Sequence, residues 1–361
     1  MLPLVSTGAW ALRAARRLLF GRKPAPLRLD EKQLAEFASL APWLPEELLA
    51  EFTELSRVLR DMHAETAAHA RWRAVHPLEQ LIEQAADLNI VYTPGKVGSR
   101  TVAATLQRHP AFLTPVRHAH FLSATGLAFN ERLAIRCAGR PAAADGWRDI
   151  IVRGRWLRVL LAINRALRAN DRPALVRKPF VIAGVREPIA LHLSFCFESS
   201  WMYADTPDFL TSDFVRARLA DDAWHRHCNR WFTDDLLEML GIDAYARPFP
   251  TEPGWDIYEN DNARVLLIRQ ESLTSLPDAL GSLYGLPPST FNVVTTNTAQ
   301  AKPYAELYES VKNSLRICTE ELKEIYALPY VRHFYSLVEI ETFKSRWQVM
   351  PHSPQIGTLP R

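Results

Sequence analysis

The chain is poor in cysteine, nearly free of charge imbalance and without a long apolar run. Its cysteines are Cys137, Cys196, Cys228 and Cys318, and no two have C-x-x-C spacing. That argues against a disulfide framework or a structural zinc site and makes a reducing, cytoplasmic compartment the expectation. The net charge is +3, from 43 basic and 40 acidic residues. So small a balance does not mark a bulk nucleic-acid binder, and no nucleic-acid partner is expected. No stretch approaches the ~18–20 uninterrupted apolar residues of a membrane span. Neither an internal repeat nor a low-complexity segment is visible.

What is present is ordinary globular composition, 48% apolar and 23% charged. A chain of 361 residues is enough for one large α/β domain, or a core domain with helical additions. The basic residues are mainly arginine, which suits planar recognition of phosphate, sulfate or carboxylate. In residues 1–23, Leu2, Leu4, Trp10, Leu12, Leu18, Leu19 and Phe20 are interspersed with Arg13, Arg16, Arg17, Arg22 and Lys23. Interrupted in this way, the segment lacks the order of a signal peptide. It reads either as a basic amphipathic helix touching the inner face of an anionic membrane or as a packing helix or frayed terminus.

Residues 1–86 read as an N-terminal helical extension broken at Pro42 and Pro45, residues 87–347 as an α/β domain, and residues 348–361 as a loose tail. Continuously apolar strands alternate with helices: LNIVY, Phe112–Ala119, PFVIAGV, RVLLIRQ and, as a fifth candidate, FNVVTT. The pattern predicts a three-layer, P-loop-like fold with a central parallel sheet of about 4–5 strands flanked by helices. Ligands of such sheets bind beyond the carboxyl ends of the strands.

Two segments have that placement. The first, NIVYTPGKVGSRTV, runs from a strand through a turn into a helix. Gly95 and Gly98 allow close backbone approach, and amides from Val97 to Thr101 would face an anion at the positive end of the helix. Ser99 and Thr101 offer hydroxyls, Lys96 a mobile charge. The lysine precedes the Gly-Ser, so the segment is not the GxxxxGK[ST] loop of nucleotide hydrolases. Nor does RVLLIRQE end in a magnesium-holding Asp; it offers only Glu271. The plain reading is a glycine-rich turn with an incidental lysine. The second segment, PFVIAGVREPIALHLSFCFES, repeats strand, Arg-Glu-Pro and helix, with Arg186 at the strand end and Ser194 two helical turns on. Arginine with a serine hydroxyl is a compact phosphate receptor. Its plain reading pairs Arg186 with Glu187 or a helix end. Two anion receptors on neighbouring strands fit a nucleotide with phosphates at both ends, such as 3′-phosphoadenosine-5′-phosphosulfate.

Here the chain resembles the sulfotransferases. The resemblance implies a 5′-phosphosulfate loop at Lys96, Val97, Gly98, Ser99, Arg100 and Thr101, and a 3′-phosphate element at Arg186 and Ser194. His118 and His120 in PVRHAHFLS are similar to the segment that carries the catalytic histidine of uronyl and heparan sulfate 2-O-sulfotransferases. From about residue 88 to about 347, stretches such as YTPGKVGSRTV, GVREPIALHLSFCFE, WFTDDLLEMLGIDAYARPFPTEPGWDIY and VLLIRQESL resemble a bacterial family of capsular polysaccharide synthesis proteins. Three departures stand out: Gly95 intrudes between Pro94 and Lys96, Leu191 replaces a frequent second arginine, and that family's Lys-Trp-Tyr reads Lys302-Pro303-Tyr304.

The resemblance implies sulfuryl transfer to a glycan hydroxyl without a metal. Lys96 would stabilise the leaving phosphate oxygen, and His120 would act as general base, with Glu271 or His118 in reserve. The competing reading of His118 and His120 is two ordinary polar contacts on one face of a strand. Other functional classes remain open: a P-loop-like kinase, or an inactive polysaccharide-assembly protein. Further clusters have plain readings. His225, His227 and Cys228 read as a surface or acceptor-groove helix rather than a metal site. Trp224, Trp231, Tyr245, Trp255 and Tyr258 read as core rather than sugar platforms. Arg148, Arg153, Arg155 and Arg158 read equally as a contact for acidic polysaccharide or a solvated helix face. RHFYSLVEIETFKSRW reads as a helix whose Arg332 and His333 could reach a nucleotide.

Overall fold

A computed structural model describes residues 84–112, 115–136, 141–169, 176–200, 207–221, 230–296 and 299–348. The expected N-terminal extension up to residue 83, its membrane contact, the His225–His227–Cys228 cluster, Trp224 and the tail from residue 349 lie outside them. The described chain divides into two compact units. One takes in residues 84–88, 110–112, 115, 155–169 and 176–177; the other holds the rest. In the smaller unit, Asn164 donates from Nδ2 to the Ala85 carbonyl at 2.7 Å and the Arg177 carbonyl at 2.9 Å.

The larger unit is built on a five-stranded sheet. Its strands are β1 (Asn89–Tyr92), β2 (Arg117–Ala119), β3 (Phe180–Val185), β4 (Trp255–Glu259) and β5 (Arg264–Arg269), in the order β2-β1-β3-β5-β4. The first three and β5 are parallel, with Val91 beside His118 on one side and Ile182 on the other, and Ile182 beside Leu266. β4 returns antiparallel on β5, with Tyr258 beside Val265. The inner parallel strands are largely apolar because both faces are covered: every residue of β1 is buried, as are five of six in β3 and in β5, whereas of the edge strand β2 only Ala119 is buried.

The helices that matter for the site are α1 (Ser99–Arg108), α2 (Ala124–Arg136), α3 (Pro141–Ala169), α4 (Pro188–Glu198), α5 (Ser212–Asp221), α6 (Leu276–Tyr284), α7 (Ala305–Ser314), α8 (Thr319–Tyr326), α9 (Pro329–Phe334) and α10 (Leu337–Trp347). A helix-flanked parallel sheet was expected; the sheet found is mostly parallel, with β4 antiparallel, and the strand list needs correction, since the second strand is confined to Arg117–Ala119. FNVVTT is not a strand; the fifth strand is β4. The backbone of that segment bonds to α1 side chains instead: the Val294 amide donates to Thr105 Oγ1 at 3.0 Å and the Thr296 amide to Thr101 Oγ1 at 3.4 Å. RHFYSLVEIETFKSRW is two helices, not one, broken where Ser336 caps α10 by a reciprocal pair of bonds with Glu339. No helix among the described residues is long and apolar enough to cross a membrane.

From β1 the chain crosses to β2 at one sheet edge, then back past β1 to β3, on to β4 at the other edge and back to β5. The loops after β1 and β3 therefore diverge, and the crevice between them is where open α/β sheets place ligands.

Candidate functional site

The loop after β1 is held in one shape by backbone constraints. Gly95, Lys96 and Gly98 have φ of 93°, 59° and 79°. Lys96 is the one non-glycine residue with positive φ among those described. The loop rests on β3 at Gly184, where a Cβ would stand 2.4 Å from Val97 Cγ2. Val97 thus turns its side chain to the sheet and has only backbone to offer a ligand. Gly98 is the N-cap of α1 and brings no side chain to the first-turn amides. Gly98 is also walled by Leu273, whose Cδ1 would lie 2.6 Å from an added Cβ.

The element after β3 is built differently. Buried Glu187 caps α4, accepting from the Ile189 amide at 3.0 Å and the Ala190 amide at 2.7 Å. Burial raises its carboxyl pKa, against the pull of those amides and of the Tyr326 hydroxyl, which also donates to it. The Glu187 amide in turn donates to Glu271 at 2.9 Å, and the Tyr335 hydroxyl donates to the other Glu271 oxygen at 3.0 Å. With Glu187 taking its first amides, the groups that α4 and its preceding loop turn to the cleft include Arg186 and Ser194. Arg186 Nη1 donates to the Lys96 carbonyl at 2.8 Å, so the two predicted anion elements are joined. Arg186 Nε is buried without a hydrogen-bond partner.

His120 follows β2. Its Nδ1 lies 3.0 Å from the Thr93 carbonyl, and a carbonyl only accepts, so Nδ1 carries the proton and Nε2 a lone pair. Burial pushes the imidazole pKa down to about 4, assisted by Lys96 and Arg100 and opposed by the Thr93 bond, so the ring is neutral at physiological pH. His118 packs edge-on against it, with ring centroids 4.7 Å apart, and is also driven neutral, chiefly by burial. The support comes from a π-helical turn, Phe232–Leu237. Asp235 Oδ1 accepts from the Leu122 amide at 2.8 Å, the Ser123 amide at 2.9 Å and the Tyr92 hydroxyl at 2.7 Å. Trp231 Nε1 donates to the His120 carbonyl at 2.7 Å. Trp231 is therefore fully buried core, as the plain reading of the aromatics expected. π turns recur at functional sites because the wider turn aims its side chains differently.

These elements enclose one cleft of about 1120 Å³. Lys96, Gly98, Ser99, Arg100, Thr101, His118, His120, Arg153, Arg186, Ser194 and Glu271 all line it. His333 does not; it lies in an aromatic cluster with Tyr245, Phe249 and Phe334, away from the strand-end loops. Among the lining residues, sequence reasoning missed Glu198 and named Lys302 and Tyr304 without giving them a role. Glu198 lies one helical turn beyond Ser194, a spacing that signals a shared face. Its Oε2 accepts from the Tyr304 hydroxyl at 3.0 Å and lies 3.4 Å from Lys302 Nζ. Lys96 Nζ and Arg100 Nη2 are each 3.9 Å from its Oε1. Lys302 and Tyr304 thus explain the Lys302-Pro303-Tyr304 departure in part: both outer residues reach the cleft. Lys96 has its pKa lowered to about 8, by burial first and then by Arg100, Lys302 and Arg186, with Glu198 opposing. Among the described residues no three His, Cys, Asp or Glu side chains converge on a metal position.

The model of one protein family, described as "Putative capsular polysaccharide synthesis protein", matches residues 218–336. That is about a third of the chain. The matched span holds Trp231, Asp235, Glu271, Lys302 and Tyr304; the Lys96 loop, His120, Arg186 and Ser194 precede it. No curated protein and no solved structure matches the chain.

Proposed function

We propose that this chain is a sulfotransferase on a P-loop-like scaffold, moving a sulfuryl group from 3′-phosphoadenosine-5′-phosphosulfate to a glycan hydroxyl. The carrying observation is the convergence of the Lys96 loop, the Arg186–Ser194 element and His120 on one cleft at the divergent strand ends. The capsular polysaccharide match supports a surface glycan as acceptor.

In this reading the first turn of α1, with Ser99, Arg100 and Thr101, holds the 5′-phosphosulfate, while Arg186 and Ser194 hold the 3′-phosphate. An acceptor hydroxyl oxygen bonds to sulfur as the bridging sulfur–oxygen bond to phosphate breaks. The acceptor proton goes to His120 Nε2, and Lys96 stabilises the charge developing on the departing phosphate oxygen. The products are a sulfate ester and adenosine 3′,5′-bisphosphate.

The test is a thermal-shift comparison of adenosine 3′,5′-bisphosphate with ATP plus magnesium, followed by transfer assays with sulfur-labelled donor on candidate glycans. The bisphosphate should raise the melting temperature and ATP should not. His120→Ala should keep that shift and lose transfer. A shift with ATP and magnesium alone would replace this reading with a kinase.

A further inference from the structure

We propose that Lys302 and Tyr304 complete the anion receptor of the Lys96 loop, and that Glu198 occupies this receptor as a built-in carboxylate that an incoming anionic group displaces. The inference rests on the proposed function only for the identity of the natural anion.

Three cations and one hydroxyl converge on Glu198, yet the carboxylate fits them poorly. Only Tyr304, at 3.0 Å, and Lys302, at 3.4 Å, approach it closely; Lys96 and Arg100 stop at 3.9 Å. One carboxylate is shared by two lysines, so a single negative charge faces two positive ones. A phosphosulfate or diphosphate group, with two or more charges spread over the terminal oxygens of two tetrahedra, would match the cluster better, because each cation could take its own oxygen. The electrostatics agree. Burial alone would raise the Glu198 pKa, but Lys96, Lys302, the Tyr304 bond and Arg100 outweigh it and hold the carboxyl below its usual range. Lys96 is at the same time lowered, by burial first and then by its fellow cations Arg100, Lys302 and Arg186. An anion of higher charge relieves that repulsion.

The elements also explain why these residues meet. Glu198 closes α4, which carries Ser194 one turn earlier on the same face. Lys302 and Tyr304 end a segment whose preceding residues are bonded along α1 through Thr101 and Thr105. The Lys302–Tyr304 turn is thus tied to the helix whose N-terminus forms the other wall. Displacement of Glu198 would free Lys96 to turn to the ligand, so donor binding and lysine positioning become one event.

Titration calorimetry with inorganic pyrophosphate tests this in the full chain. Glu198→Gln should bind pyrophosphate roughly tenfold more tightly, since it removes the competing charge and keeps the shape. Lys302→Ala should weaken binding by about the same factor, and the gain from Glu198→Gln should shrink in the Lys302→Ala background. Glu198→Asp, which withdraws the carboxylate by one methylene, should also tighten binding and serves if the glutamine variant fails to fold. Unchanged or weaker binding by a folded variant overturns the inference, as does pyrophosphate binding by neither wild type nor variant. If pyrophosphate behaves as expected but adenosine 3′,5′-bisphosphate does not bind, the receptor stands and the sulfotransferase reading falls.

Discussion

Lys96 concentrates the chemistry and the constraint in one residue. It is buried, faces other cations and sits in a left-handed backbone position. In the proposed mechanism it must be protonated to stabilise the leaving oxygen. With its pKa lowered to about 8, the charge is present below that pH and is lost as pH rises through it. Donor kcat/KM should therefore fall with an alkaline limb near pH 8, measured in initial-rate profiles. Lys96→Arg should move that limb upward out of range, and Lys96→Ala should lower turnover by roughly 10²–10³-fold. A profile flat to pH 10 with wild-type protein would remove the lysine from the chemistry. His120 adds no limb near neutrality, because its pKa of about 4 leaves the imidazole neutral there.

The elements show why some of the site was legible in the sequence and some was not. β1, β3 and β5 announce themselves as unbroken apolar runs, and each is followed by its functional loop. Lys96, Arg186 and Ser194 stand at fixed short offsets from those strands, so spacing alone could find them. Glu198 is one turn past Ser194, and the helical period could have found it too. Asp235 gave no such signal: its partners Tyr92, Leu122 and Ser123 are more than a hundred positions away, and a π turn has no apolar period of its own. FNVVTT misled for the converse reason. Its β-branched residues suit an extended chain, but α1 hydroxyls take its amides in place of a neighbouring strand. The load on Asp235 is testable. Asp235→Ala leaves two amides and a buried tyrosine hydroxyl without their acceptor and should cost about 3 kcal/mol, read from denaturant unfolding. Gly126 reinforces the expectation, since an added Cβ there would lie 2.8 Å from Asp235 Oδ2. A loss under about 0.5 kcal/mol would mean that the His120 loop does not depend on this turn.

For the whole molecule, nearly balanced charge conceals a concentrated field. The net is +3, yet Lys96, Arg100, Arg153, Arg186, Lys302, Lys312 and Arg346 share the cleft with only Glu187, Glu198, Glu271 and Glu309. Binding of adenosine 3′,5′-bisphosphate should accordingly weaken about tenfold or more between ~50 and ~300 mM salt, while the melting temperature without ligand moves little. Salt-independent binding, followed by calorimetry, would contradict a site built on unscreened cations. The sheet order has a further consequence, for assembly of the fold in time. Val91 pairs with Ile182 and Ile182 with Leu266, so the parallel ladder joins distant parts of the chain, whereas β4 and β5 pair as near neighbours in sequence. Loop-closure entropy favours the local hairpin first and delays the ladder. The crevice between the β1 and β3 loops exists only when that ladder has closed. An anion captured by this cleft, as proposed, would therefore report on closure of the ladder and act as a selective stabiliser of the finished sheet over any partly folded form.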